Sequence, residues 1–207
     1  MDRIERHYPA IRRLLGIDEA GRGPLAGPCV VAGVILPQGY DHPLINDSKQ
    51  LTAKQRGLCF DAILRDAVWI GIITVTPHQI DTKNIYQATK DANIQLIQMA
   101  HAELVLTDAM PVNLPGTVVI DLIKGDTKSI SIAAASIIAK VIRDAIMDRY
   151  DQEYPGYGFA QHKGYPTKAH VEAIQRWGVL PIHRRTFGPV RDQLQLRLYT
   201  ENEDQCI

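Results

Sequence analysis

Twice between Leu14 and Leu36 the chain runs apolar for about the length of a β-strand, and the two runs are separated by the Gly/Pro-rich stretch Gly21-Arg22-Gly23-Pro24. Turn residues between apolar runs of strand length call for two strands joined by a short connection, over residues 14–18 and 29–36. The fold must therefore contain a sheet. A polar loop follows through Asp47-Ser48-Lys49, after which Thr52 and Gln55 have capping-box spacing and a helix is expected to about Ala67. Residues 68–75 are rich in Ile, Val and Trp and read as a strand, while Thr76-Pro77 puts a proline in the first turn of a further helix. Ile85, Ala88, Ala92, Leu96 and Met99 recur at helical spacing, so a long helix should reach about Ala102.

Residues 104–107 and 118–122 are apolar runs of strand length, each ending in or near an aspartate. Residues 131–150 are rich in Ala and Ile on one stripe and predict a mostly buried helix. A loop rich in Gly, Tyr and Pro spans 154–166. Thr167 then caps a helix closed by Gly178, and a last helix is expected over 190–199. Strands first, then strands alternating with helices, argue an α/β sheet of mixed direction with a C-terminal helical extension.

With 207 residues, 45% hydrophobic and 22% charged, the chain suits one folded domain with a full core and excludes a disordered or collagenous class. Its most apolar stretch, residues 29–36, is far short of the roughly 18 residues of a membrane span. The first fifteen residues mix Asp2 and Glu5 with Arg3, Arg6, Arg12 and Arg13, unlike a secretory leader, so a cytoplasmic location is expected. Cys29, Cys59 and Cys206 are widely spaced and fit reduced thiols better than a zinc cluster or disulfide framework. Net charge is zero, yet residues 124–197 hold 12 basic against 7 acidic side chains. That asymmetry would let one face meet a polyanion.

Asp18 and Glu19 end the first strand at the turn, Asp108 ends another strand, and Asp126 lies in a turn after yet another. Sites in open α/β sheets sit at strand ends. Carboxylates about 4 Å apart repel by roughly 1 kcal/mol per pair in water and about 4 kcal/mol at an effective dielectric of 20. A cluster of four would need a hard divalent cation with oxygen ligands, Mg²⁺ or Mn²⁺, and two such ions suit phosphoryl transfer. Residue types alone also leave open a nucleic-acid-binding protein without activity and a nucleotide-dependent oxidoreductase. Against the latter, Gly21-Arg22-Gly23-Pro24 copies only the first part of a dinucleotide fingerprint.

The string Asp18-Glu19-Ala20-Gly21-Arg22-Gly23-Pro24-Leu25-Ala26-Gly27-Pro28 resembles the signature of the ribonuclease HII family, the type 2 ribonucleases H. The likeness continues through Asp47-Ser48-Lys49-Gln50-Leu51, Lys124-Gly125-Asp126, residues 133–144, His162-Lys163-Gly164-Tyr165 and Gly178-Val179-Leu180-Pro181-Ile182-His183-Arg184, covering residues 14–190 in family order. It implies a ribonuclease H-like fold: a mixed five-stranded sheet flanked by helices, with a catalytic core over about 11–150 and a helical substrate-binding segment over about 151–200. It implies a metal-dependent endoribonuclease that cuts 5′ of ribonucleotides in RNA–DNA hybrids and at single ribonucleotides in duplex DNA, leaving 3′-hydroxyl and 5′-phosphate ends.

By the same resemblance the acids Asp18, Glu19, Asp108 and Asp126 bind two Mn²⁺ or Mg²⁺ ions. The family usually has glycine after the third acid, where this chain has Ala109, and Asp121 stands nearby as a rival. Gly21, Arg22 and Gly23 would read the ribose 2′-hydroxyl, which separates RNA from DNA. Tyr165 would stack on the sugar of the next deoxyribonucleotide. Lys49, Lys140 and Arg143 are further candidates for phosphate contacts, and His162 for a role near the leaving group. Asp144 is expected to pair locally on its helix. A monomer is expected, and the tail after Val190 is a candidate contact for a replication clamp.

Overall fold

Residues 3–45 and 51–203 are described by a computed structural model of the chain. Five strands, β1 (Leu14–Ala20), β2 (Cys29–Ile35), β3 (Trp69–Val75), β4 (Leu104–Asp108) and β5 (Val118–Leu122), form one sheet in the order β3-β2-β1-β4-β5. β1, β2 and β3 pair antiparallel, whereas β4 lies parallel to both β1 and β5. The mixed direction follows from the connections. A short link reverses β1 into β2, while β3 reaches β4 through two helices and therefore crosses over.

Those helices are α2 (Pro77–Lys83) and α3 (Ile85–Ala100). The expected long run is interrupted at Asn84, whose φ of 64° ends α2 while its side chain accepts from the Gln87 N–H and caps α3. Before them, α1 (Ala53–Asp66) begins at Thr52 with both bonds of the capping box in place. The turn around Asp126 is a single-turn helix, α4 (Gly125–Lys128), leading into α5 (Ile130–Glu153). The loop of 154–166 contains the short α6 (Phe159–His162), followed by α7 (Lys168–Trp177) and α8 (Gly188–Glu203). Among the described residues no helix is long and apolar enough to cross a membrane.

Alternation along β2 sends Cys29, Val31 and Ile35 toward α3 and Val30, Ala32 and Val34 toward α5 and α1, so the sheet is covered on both faces. The buried run from Ile130 to Ala139 lies against β1 and β2, and its small residues permit close approach. At Gly16 a Cβ would lie 2.2 Å from the Ser131 carbonyl carbon, which only glycine avoids. A smaller core of Phe159, Tyr157, Ile174, Ile182 and Val190 holds the C-terminal helices and reaches Leu25 and Ala26 of the β1–β2 connection. The first turn of the molecule is thereby joined to its last third.

Candidate active site

The parallel ladder of β1 and β4 ends at the pair Ile17–Thr107, so Asp18 and Asp108, one residue further on each strand, leave the sheet side by side. Period-two alternation puts both on the α5 face, with Gly16 and Leu106 below them. Asp18 is buried, and its Oδ1 accepts the Glu19 N–H at 2.7 Å while Ser136 of α5 bonds the same carboxyl. Burial raises its pKa well above the ordinary carboxylate range, and the charges of Glu19 and Asp108 raise it further.

Asp108 Oδ1 accepts the Gly125 N–H at 2.8 Å, which brings the residue before Asp126 against β4. Asp126 itself is buried in α4. Glu19 receives Arg22 Nη1 at 3.3 Å. Among the described residues no three His, Cys, Asp or Glu side chains stand together as one metal-coordinating group. The expected four-acid cluster is thus looser than a finished metal shell, because Asp108 and Glu19 are each drawn toward a hydrogen-bond donor of their own. The donor set nonetheless fits a hard divalent ion: all the ligating atoms are carboxylate oxygens, and positive charge would relieve the cost of ionising Asp18 between two acids. Asp121 is exposed on β5, in register with Thr107 and not with Asp108.

Gly21 has a φ of 99°, and a Cβ there would meet Arg143 Nε at 2.0 Å. Only glycine serves at this point of the turn. The Tyr165 ring, half out in solvent, lies against the same turn: a Cβ on Gly23 would be 3.7 Å from Tyr165 Cε1. The proposed ribose-reading turn and the candidate stacking tyrosine are therefore neighbours, although more than 140 residues separate them in sequence.

Arg143 departs from expectation. It is buried, and its guanidinium donates to the carbonyls of Pro28 (3.0 Å), Ala26 (3.3 Å) and Lys163 (3.0 Å), so it holds two loops together instead of facing a phosphate. Lys140, one turn earlier, is partly exposed and pairs with Asp144 at 2.8 Å, the local pairing expected of that acid. Lys49 lies outside the described residues. His162 accepts the Gly164 N–H at Nδ1, which leaves Nε2 to donate to the Tyr157 carbonyl, so both ring nitrogens serve the loop and neither is free for a leaving group.

Sequence reasoning missed Arg184, His170 and His183, all buried beneath the turn and Tyr165. Their signal was only that Arg184 and His183 close one of the family-like strings; nothing in residue type announces a side chain whose partners are backbone carbonyls.

A mixed five-stranded sheet with helices on both faces and acids at the ends of its central strands defines a ribonuclease H-like α/β fold. The family model for ribonuclease HII matches residues 15–190. Ribonuclease HII of Bacillus cytotoxicus is 50% identical over 192 residues, 91% of this chain and 73% of that protein. The Lacticaseibacillus paracasei enzyme is 53% identical over 184 residues, 87% and 71% of the two chains. Among solved structures, the ribonuclease HII of Archaeoglobus fulgidus in complex with PCNA superposes with a TM-score of 0.73 at 27% identity, covering 85% of this chain and 95% of that one. The chain belongs to the ribonuclease HII family and is a metal-dependent endonuclease of the ribonuclease H type.

Proposed function

We propose that this enzyme hydrolyses the phosphodiester 5′ of a ribonucleotide, both in RNA–DNA hybrids and at single ribonucleotides embedded in duplex DNA, with water as nucleophile. The observation that carries this reading is adjacency. Asp18 and Asp108 emerge in register at one end of the sheet, and the turn Gly21-Arg22-Gly23 with Tyr165 against it follows directly on Asp18. A scissile phosphate held at the acids would bring the neighbouring sugars onto that turn.

Asp18, Glu19, Asp108 and Asp126 would hold two divalent ions, Mg²⁺ or Mn²⁺. When bound, these ions would supply Lewis-acid neutralisation of the phosphate, and 3′-hydroxyl and 5′-phosphate ends would result. Gly21 and Gly23, bare of side chains, let backbone groups approach the 2′-hydroxyl, which both donates and accepts. Tyr165 offers an aromatic face to the next sugar, and Arg22 and Lys140, partly exposed and paired with Glu19 and Asp144, would have to turn from those carboxylates to meet phosphates. We further propose a cytoplasmic monomer whose segment after Val190 contacts a sliding clamp, a reading supported by the PCNA complex of the Archaeoglobus relative.

The test is cleavage of a duplex carrying one ribonucleotide, with and without EDTA. Asp18→Asn is expected to lose essentially all turnover while keeping its circular dichroism spectrum and melting point, since Asp18 is costly to ionise in the fold and the amide removes that cost. Near-normal turnover by the variant, or cleavage undiminished by EDTA, would refute the metal-dependent reading.

A further inference from the structure

A short stretch near the C-terminal end braces both halves of the proposed substrate reader. Arg184 is 0% exposed, and no carboxylate lies within ion-pair distance of it among the described residues. Its guanidinium is spent on the β1–β2 connection: Nη2 donates to the Gly21 carbonyl (2.6 Å) and the Gly27 carbonyl (3.0 Å), Nη1 to the Arg22 carbonyl (2.8 Å) and Nε to Gly27 again (3.1 Å). The Phe187 ring lies 5.1 Å from the guanidinium carbon, but every side-chain hydrogen bond of this buried charge goes to a backbone carbonyl, and it fixes those carbonyls in turn, because releasing any of them leaves the cation poorly solvated. The backbone completes the brace: the Arg184 N–H donates to the Leu25 carbonyl and the Gly27 N–H to the Ile182 carbonyl, both at 2.8 Å.

His183, the preceding residue, works on the other half. Its Nδ1 accepts the Leu180 N–H at 2.9 Å, so Nε2 carries the proton and donates to His170 Nε2 at 3.2 Å. His170 must then be protonated at Nδ1, which donates to the Tyr165 carbonyl at 3.0 Å. Each tautomer is dictated by the backbone group at its end of the relay. Phe159 packs against both rings, and His162 stacks on His170 with centroids 4.4 Å apart.

We propose that His183 and Arg184 are positioning residues that set the spacing between the ribose-reading turn and Tyr165, Arg184 by holding the carbonyls of Gly21 and Arg22, His183 by holding the Tyr165 backbone through His170. The proposal rests on the substrate reading given above. Neither residue touches substrate. Both act by keeping two distant loops at a fixed separation, which matters because misplacement of about 1 Å at a reacting centre can cost on the order of a hundredfold in rate.

The test compares steady-state kinetics of the full chain with Mn²⁺ on two substrates, a duplex with one ribonucleotide and a continuous RNA–DNA hybrid, for wild type, Tyr165→Ala, His183→Asn and Arg184→Lys. Asparagine keeps an acceptor for the Leu180 N–H but cannot continue the relay. Lysine keeps the charge but cannot form the fork to three carbonyls. Arg184→Lys is expected to lower kcat about tenfold or more on both substrates with KM changed by less than about threefold, since the turn serves both. His183→Asn should follow Tyr165→Ala, losing at least about fivefold more on the single-ribonucleotide duplex than on the hybrid. Loss of melting temperature with kcat unchanged at a temperature where each variant is folded would make both residues merely structural and overturn the proposal. Equal loss by His183→Asn on the two substrates, where Tyr165→Ala still discriminates, would overturn it as well. Failure of wild type to cut the single-ribonucleotide duplex would instead remove the functional reading beneath it. Should Arg184→Lys not fold, the His183→Asn comparison decides alone.

Discussion

At the scale of single residues, the third acid sits beside a strained neighbour. Ala109 follows Asp108 with a φ of 48°, in the left-handed region, and its N–H donates to the Leu122 carbonyl. A Cβ there costs roughly 1 kcal/mol, and the family's usual glycine would not incur it. Ala109→Gly is expected to raise stability by about that amount in urea denaturation while leaving Asp108 on its Gly125 N–H. The strand-end position of Asp108 was legible in the sequence, as was that of Asp18 and Glu19 ahead of the turn. Arg143 was not. An arginine one turn from a lysine looks like a phosphate contact, and only the fold shows its guanidinium turned inward onto carbonyls of the 26–28 and 163 backbone. Arg184 escaped notice for the same reason, since carbonyls leave no mark in a sequence.

The elements themselves were read more easily, because their signals are local. Thr52 with Gln55 and Thr167 at the start of α7 cap where spacing said they would. The break at Asn84 was hidden, because helical periodicity continues across a single left-handed residue that turns the chain between two helices. The α5–β1 contact was hidden too, since Gly16 inside a strand looks only like a weak point. Gly16→Ala should destabilise the protein by about 3 kcal/mol in urea denaturation, because its Cβ falls 2.2 Å from backbone of α5 and the helix must move. Activity should fall with it, as the same helix carries Ser136 to the Asp18 carboxyl. A change within about 0.5 kcal/mol would mean that the helix yields freely there.

Across the whole molecule, acid sensitivity should be set in part by the histidines beneath the site. Burial lowers both His170 and His183 to about 4 from an ordinary value near 6.5; the charge of His162 lowers both further, and that of His170 adds to the effect on His183. Both are held neutral in the folded protein, so the unfolded chain binds more protons between pH 6.5 and about 4. Stability is then full above pH 6.5 and declines as pH falls through that window, by an amount on the order of a few kcal/mol. Denaturation midpoints at pH 7.5, 6 and 5 would show the decline in wild type and a smaller one in His183→Asn. An equal slope in both would assign the loss to other groups. The sign asymmetry of the sequence, basic over its last third, was legible without a structure, but which loops that third braces was not.

Chain order adds a consequence of the Arg184 brace. A ribosome delivers β1 with Asp18 and Glu19 well ahead of the guanidinium that fixes the following turn, which arrives more than 160 residues later. All five strands of the sheet, the last ending at Leu122, are therefore made before the side chain that braces the turn between the first two, and the geometry of that turn is settled last.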